Sequence, residues 1–411
     1  MDIGRLLERR VSIMSEVMLN DICELIVDCP HTTAVDEGHG YPLVRTPNIG
    51  KGRLVYNGMH RVSEEVYNKR NFRAVPQEDD LIFAREATAG NVALIQKGEK
   101  VCLGQRTVLL RPNKALVNPT FLTYFLLAPK QQYNLLCTAN GATVAHVNMS
   151  TIRNLKLELP HLQIQNKIGI ILSRYDSLIE NYQKQIKLLE ESAQRLYKEW
   201  FIDLRFPGHE NTKIVDGVPE GWEKKKIFEL GKVVTGKTPS TANKANYGGN
   251  IPFITIPDMH SGIYPTSSQT LSNQGAESQS GKYIPENSLM VSCIGTAGLV
   301  CISETLCQTN QQINSLVLDN VIRLYYMYFT FLSLKEHLNN IGSNGATMTN
   351  VNKSKFENIE VVVPTDSLLF TFDLTANSTF VKIKNLSHQI RHLTEARDRL
   401  LPKLMSGEII V

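Results

Sequence analysis

The chain says the same thing twice. Residues 140–160, NGATVAHVNMSTIRNLKLELP, return 204 positions later as NGATMTNVNKSKFENIEVVVP at 344–364. Asn140, Gly141, Ala142, Thr143, Val147, Asn148, Ser150, Asn154 and Pro160 are each matched at that offset. Upstream, DDLIFAREATAGNVALI (79–95) aligns with NSLMVSCIGTAGLVCIS (287–303), and YPLVRTPNI (41–49) with IPFITIPDM (251–259). A repeat constrains the fold more tightly than any local pattern, because one architecture must satisfy both copies. Each copy has short apolar runs bounded by Gly, Pro and Asn, which read as strands with some helix. An α+β domain therefore occurs twice, and 411 residues are too many for one ordinary core in any case.

A segment of different character follows each copy. Ile168, Leu172, Tyr175, Ile179, Tyr182, Ile186, Leu189, Ala193, Leu196 and Trp200 alternate at spacings of four and three, the coiled-coil period. The second copy gives Phe372, Ala376, Thr379, Ile383, Leu386, Ile390, Leu393, Arg397, Leu400 and Leu404, a seam weakened at Thr379 and Arg397. A helix of roughly 40 residues is about 60 Å long, and a narrow apolar stripe of that length needs a helical partner. The other copy supplies it, so the two helices are expected to pair antiparallel through Ile179, Tyr182, Ile186, Leu189 and Leu196 against Ile383, Leu386, Ile390, Leu393 and Leu400. The expected divisions are an N-terminal arm (1–16), a first α+β domain (17–160), a long helix (161–205), a linker (206–221), a second α+β domain (222–364) and a second long helix (365–408).

Composition narrows the class. A formal charge of +4 neither announces nor excludes a nucleic-acid binder, so any basic surface must be local. Seven cysteines without a CxxC pair argue against both a disulfide framework and a zinc ribbon, and read as buried small hydrophobes. No apolar run is long enough to span a bilayer, and the start lacks a signal-peptide core, which predicts a cytoplasmic protein without membrane contact. The ten histidines show no metal-ligand spacing, and His146 is replaced by Asn350 in the second copy, so no catalytic or metal site is expected. Glu78, Asp79 and Asp80 read as the polar turn before a strand at 81–84.

GKVVTGKTPS (231–240) fits the Walker A letters from Gly231 to Thr238. A phosphate loop needs a buried strand before it and a helix after it. Here EKKKIFEL precedes it, reading as a short amphipathic turn, and Pro239 and a run of turn formers follow. Its counterpart, ELIVDCPHTT (24–33), has no glycine. A P-loop NTPase is thus a minor alternative, beside a two-domain protein-interaction adaptor that binds no DNA.

The order of domain, helix, the junction YKEWFIDLRFPG (197–208), the restart VPEGWEKKKIFELG (218–231), then domain and helix again resembles the specificity (S) subunit of type I restriction-modification enzymes. The marks are Trp200-Phe201 with Phe206-Pro207, Pro219-Glu220-Gly221-Trp222, and the duplicated NGAT and TAG blocks. The resemblance implies two target-recognition domains, each reading half of a split asymmetric site in double-stranded DNA. It also implies helices that set the spacing and dock two methyltransferase (M) subunits, joined by restriction (R) subunits. The chain would then be non-catalytic, with S-adenosylmethionine, ATP and magnesium bound by partners that supply adenine methylation and ATP-dependent cleavage in phage defence. The first 16 residues depart from the usual start.

Phosphate contacts give affinity and base contacts give specificity. In the first domain the candidates are Arg45, Lys51, Arg53, Arg85, Thr88 and Arg106, with Arg85 and Arg106 foremost because each adjoins an apolar strand and an arginine fork suits guanine. The second domain is poorer in charge, and its candidates are Lys237, Thr255, Asp258, Thr296, Gln311 and Gln312, with Lys224, Lys225, Lys226 and Lys232 as further phosphate contacts. Glutamine can pair bidentately with adenine.

Overall fold

A computed structural model describes residues 14–137, 146–215, 217–343 and 349–411. Both NGAT tetrapeptides and most of the expected N-terminal arm lie outside these residues. The chain divides into two compact units, Met1–Asn181 with Arg391–Val411, and Tyr182–Ile390. The long helices are therefore shared out between the units, where the sequence suggested they stood apart from both.

In the first unit the strands are β1 (Met14–Met18), β2 (Cys23–Asp28), β3 (Tyr41–Val44), β4 (His60–Val62), β5 (Leu81–Ala84), β6 (Val92–Leu94), β7 (Cys102–Leu103), β8 (Thr107–Pro112) and β9 (Lys156–Pro160). They form a pair β1-β9, a four-stranded sheet β2-β8-β5-β6 and a three-stranded sheet β4-β3-β7. β1 takes residues 14–16 out of the expected arm, because its antiparallel ladder with β9 satisfies their backbone groups. β5, β6 and β7 are buried along their whole length, as their unbroken apolar runs require.

The second unit holds the hairpin β10 (Ile214–Val215) and β11 (Val218–Pro219). It continues with β12 (Glu223–Lys226), β13 (Gly231–Thr235), β14 (Tyr247–Ile254), β15 (Gln269–Leu271), β16 (Leu289–Ser292), β17 (Val300–Ile302), β18 (Gln308–Thr309), β19 (Ile313–Leu318) and β20 (Glu360–Val363). Its sheets are β12-β20, β13-β19-β16-β17 and β15-β14-β18. Apart from the β10-β11 hairpin, this is the first unit again strand for strand, down to the one parallel pair in each three-stranded sheet, β3 with β7 and β14 with β18. The lysine-rich segment before Gly231 is an edge strand, β12, followed by a short 3-10 turn; a ladder with β20 overrides its poor strand composition.

The first long helix runs Leu162–Tyr197 and closes in a π-helical turn, Lys198–Ile202. The second runs Asp366–Met405 with Pro402 near its end. At 36 and 40 residues they are about 54 and 60 Å long. In the first unit Ile168 and Leu172 share a core with Leu400 and Leu404, while Asp176 meets Arg397 further along, so the partners descend as the first helix ascends. In the second unit Ala193, Tyr197, Phe372, Ala376, Phe380 and Ile383 form one core, with Ile186, Leu189 and Leu196 packed on it.

Two weak seam positions have physical explanations. Phe380, fully buried, fills the place expected of Thr379. Arg397 faces Asp176, its Nη1 2.6 Å from Oδ1, and Asp176 is 4% exposed and also accepts from the Tyr124 hydroxyl. At the junction, Phe201 packs edge-on against Phe372 and Tyr326, and Trp222 stands beside Phe201 and Phe206. The motif residues Trp200, Phe201, Phe206 and Trp222 thus build the aromatic floor under the second unit.

Candidate nucleic-acid interface

Sheet register fixes which residues of the two units correspond. Thr107 lies opposite Ala84 on β5, and Ile313 opposite Ser292 on β16. The residues just before them are Gln105-Arg106 and Gln311-Gln312. In each unit this dipeptide is the meeting point of several loops.

In the first unit, Gln105 donates through Nε2 to the His31 carbonyl and accepts from the Thr33 hydroxyl. The Thr88 hydroxyl donates to the Thr46 carbonyl, and the Gly104 amide donates to that of Val44. Segments 31–34, 45–47, 85–90 and 104–106 therefore converge, around a cleft of about 180 Å³ lined by Thr33, Arg45, Thr46, Pro47, Gln105 and Arg106. Arg45 is half-buried and donates to the Gly58 carbonyl. Arg106 is exposed, with φ +65°, a left-handed conformation that costs a side-chain-bearing residue about 1–2 kcal/mol.

The second unit builds an equivalent rim mainly from neutral groups. The Thr238 hydroxyl donates to Gln311 Oε1 at 2.6 Å, and Asn310 Nδ2 donates to Gln312 Oε1 at 3.0 Å. Backbone bonds Lys237 to Thr309, Asn310 to Ile254 and Cys293 to Gln312 draw in the neighbouring loops. Lys237, Thr296 and Gln311 are exposed.

Four candidates do other work. Arg85 is 8% exposed. Its Nη1 grips both Asp28 oxygens, at 3.0 and 2.9 Å, its Nε donates to the Val147 carbonyl, and its Nη2 contacts His146. With its fork filled internally, it cannot read a base. The second unit explains the role: Thr235 pairs with Asn314 where Asp28 pairs with Val108, and Asn314 Nδ2 donates to the Val351 carbonyl. A neutral set there pins the same segment. Arg53 is turned onto the first long helix, its Nε 2.6 Å from Glu180 Oε1, and the adjacent Lys51 is exposed. Asp258 is buried and closes a turn, accepting from the Thr255 amide and hydroxyl and from the Ser268 amide. Burial alone would raise its carboxyl, but those hydrogen bonds hold it below the ordinary aspartate value. Thr255 is spent on the same turn.

The Walker-like stretch has a structural cause. Gly231–Thr235 is a sheet strand, and the next helical element is a single 3-10 turn at Lys244–Asn246, so no helix N-terminus faces the glycines. A Cβ on Gly231 would lie 2.1 Å from the Val317 carbonyl oxygen, and one on Gly236 2.1 Å from that of Asn310. Both glycines let backbone segments approach closely.

Of the five lysines proposed for phosphate, Lys225 pairs with Glu223 and Lys226 reaches Asn358, leaving Lys224, Lys232 and Lys237 exposed on that count. Sequence reasoning passed over Gln105 and Glu86. Gln105 had a signal, since GQR at 104–106 and NQQ at 310–312 share the glutamine. Among the cysteines, Cys137 is exposed and Cys23 half-buried, against expectation; the other five are buried.

The chain matches the type I restriction modification DNA specificity domain twice, over residues 13–191 and 219–367. It is 31% identical over 366 residues to the type I restriction enzyme HindI specificity subunit of Haemophilus influenzae, covering 74% of this chain and 80% of that one. It is 26% identical to the MjaIX specificity subunit of Methanocaldococcus jannaschii, covering 96% and 93%. The crystal structure of the type I restriction-modification S subunit from M. genitalium has the same fold, with a TM-score of 0.58 at 14% identity over 95% of this chain and 96% of that one. The adaptor and NTPase readings gain no support from these relatives. With two copies of the domain spanning most of its length, the chain belongs to the type I restriction-modification DNA specificity family, as a specificity subunit.

Proposed function

We propose that each unit reads one half of an asymmetric, bipartite site in double-stranded DNA through its loop rim, and that the long helices set the spacing between the halves. The observation that carries this is the pair of rims: equivalent in topology, different in chemistry. One presents Arg45 and Arg106, the other Lys237, Thr238, Asn310, Gln311 and Gln312. Two copies of a scaffold with unlike reading groups suit two unlike half-sites.

Two methyltransferase subunits dock on the outer faces of the helices, where Leu178 and Leu188 on the first and Phe370, Leu374 and Val381 on the second remain exposed. Restriction subunits join that complex. S-adenosylmethionine, ATP and magnesium are bound by these partners, and the assembly methylates adenine and cleaves unmodified DNA in the cytoplasm. Among the described residues no helix is long and apolar enough to cross a membrane.

The test is to map methylated adenines in DNA treated with the full chain reconstituted with methyltransferase subunits. Two short half-sites at a fixed separation are expected, and exchanging residues 222–364 for those of a relative should change one half only. Methylation at a single contiguous site, or with no sequence preference, overturns the reading.

A further inference from the structure

Arg106 stands at the centre of the first rim with one restraint. Its Nε lies 2.8 Å from Glu86 Oε2, with the arginine side chain 61% exposed and the glutamate 18%. The other carboxylate oxygen, Glu86 Oε1, is 2.7 Å from His146 Nδ1, and His146 Nε2 is 3.0 Å from Arg85 Nη2. Arginine can only donate, so His146 Nε2 accepts and its Nδ1 carries the proton given to Glu86. Glu86 is thus held from behind by His146, itself held by the Asp28–Arg85 pair.

We propose that Glu86 is a positioning residue for base reading: it grips Arg106 through Nε and leaves the two terminal amino groups as an oriented fork for one guanine in the first half-site. Those groups have no other partner among the described residues. Their geometry matches guanine O6 and N7, and a guanidinium already fixed at Nε loses less freedom on binding. The second unit repeats the arrangement with neutral groups at the equivalent place, where Asn310 Nδ2 occupies Gln312 Oε1 and leaves the glutamine amino group as donor. This inference rests on the DNA-reading function proposed above and adds to it a base class and the residue that enforces it.

The experiment uses the full chain with methyltransferase subunits and a set of duplexes in which each base pair of the first half-site is varied singly. Glu86→Ala and Arg106→Lys should both relax discrimination at one and the same G·C pair, by about 5- to 150-fold. Preferences in the second half-site should not move. Arg106→Lys keeps the charge and should keep the salt dependence, and Glu86→Ala should add nothing on the Arg106→Lys background. If Glu86→Ala does not fold, Glu86→Asp, which keeps the charge but falls one methylene short, takes its place. A uniform loss across all sequences would make Arg106 a phosphate contact and overturn the inference, as would a guanine preference that survives either substitution. Absence of any sequence preference in the unsubstituted complex would overturn the proposed function, and this inference with it.

Discussion

Replacing Arg85 with alanine should damage the first unit's stability, and should touch its base preference only indirectly, by loosening His146 behind Glu86. The magnitude follows from what the guanidinium holds. Asp28, at 18% side-chain exposure, would lose its bidentate partner and keep His31 at 3.3 Å, a histidine 71% exposed, and the weak Cys29 thiol donor at 3.7 Å. Breaking a buried ion pair costs about 3–5 kcal/mol, reduced here because Asp28 keeps some contact with water and a second cation. The unsatisfied Val147 carbonyl adds about 1 kcal/mol. A net loss of about 3 kcal/mol corresponds to about a 150-fold shift toward opening. Two units need not unfold together, so hydrogen exchange in Leu81–Ala84 and Met149–Arg153 is the appropriate assay. The second unit supplies the remedy: Asp28→Thr, Arg85→Cys and Val108→Asn together reproduce the neutral set around Thr235, Cys293 and Asn314, and should recover most of the loss. Unchanged exchange accompanied by a changed base preference would refute the structural role and return Arg85 to the reading surface.

The same physics applies at the helix seam. Arg397→Ala should cost about 3 kcal/mol in urea unfolding by leaving the buried Asp176 carboxylate with the Tyr124 hydroxyl alone, whereas Tyr124→Phe, Asp176→Leu and Arg397→Leu combined should be near neutral or stabilising, because an apolar seam removes all three polar groups; a triple variant as weak as the single one would contradict this. Lys237→Ala should leave nucleotide binding absent, as before the change, and reduce the slope of log affinity against log salt for DNA by about 1; loss of a measurable ATP affinity would revive the phosphate-loop reading. Burial raises the Glu190 carboxyl above its ordinary 4.5. Its charged form is therefore disfavoured in the folded state, a cost absent below pH 4.5 and complete above the raised value. Glu190→Gln should stabilise the second unit at pH 7 and make no difference at pH 4 in thermal unfolding, and an equal effect at both would count against burial as the cause.

The repeat, the strand-rich character of each copy and the heptad seams were all legible in the chain, because periodicity and self-similarity record which faces must be buried whatever the details of packing. The unlikelihood of a phosphate loop was legible too, from Pro239 and the turn formers that follow Thr238. What could not be read was the direction in which a polar side chain faces. Arg85 and Arg106 look alike in sequence, each beside an apolar strand, yet one is enclosed by Asp28, Val147 and His146 while the other stands at the rim. Those partners lie between 57 and 62 positions away, and only strand pairing brings them together. Arg397 reads as a flaw in its stripe and Asp176 lies outside the other one, yet the two become a pair when the helices meet. Burial pattern is a local property of the chain and so is written along it; the satisfaction of a charge or hydrogen bond depends on groups from distant segments, and is settled only when the fold has closed.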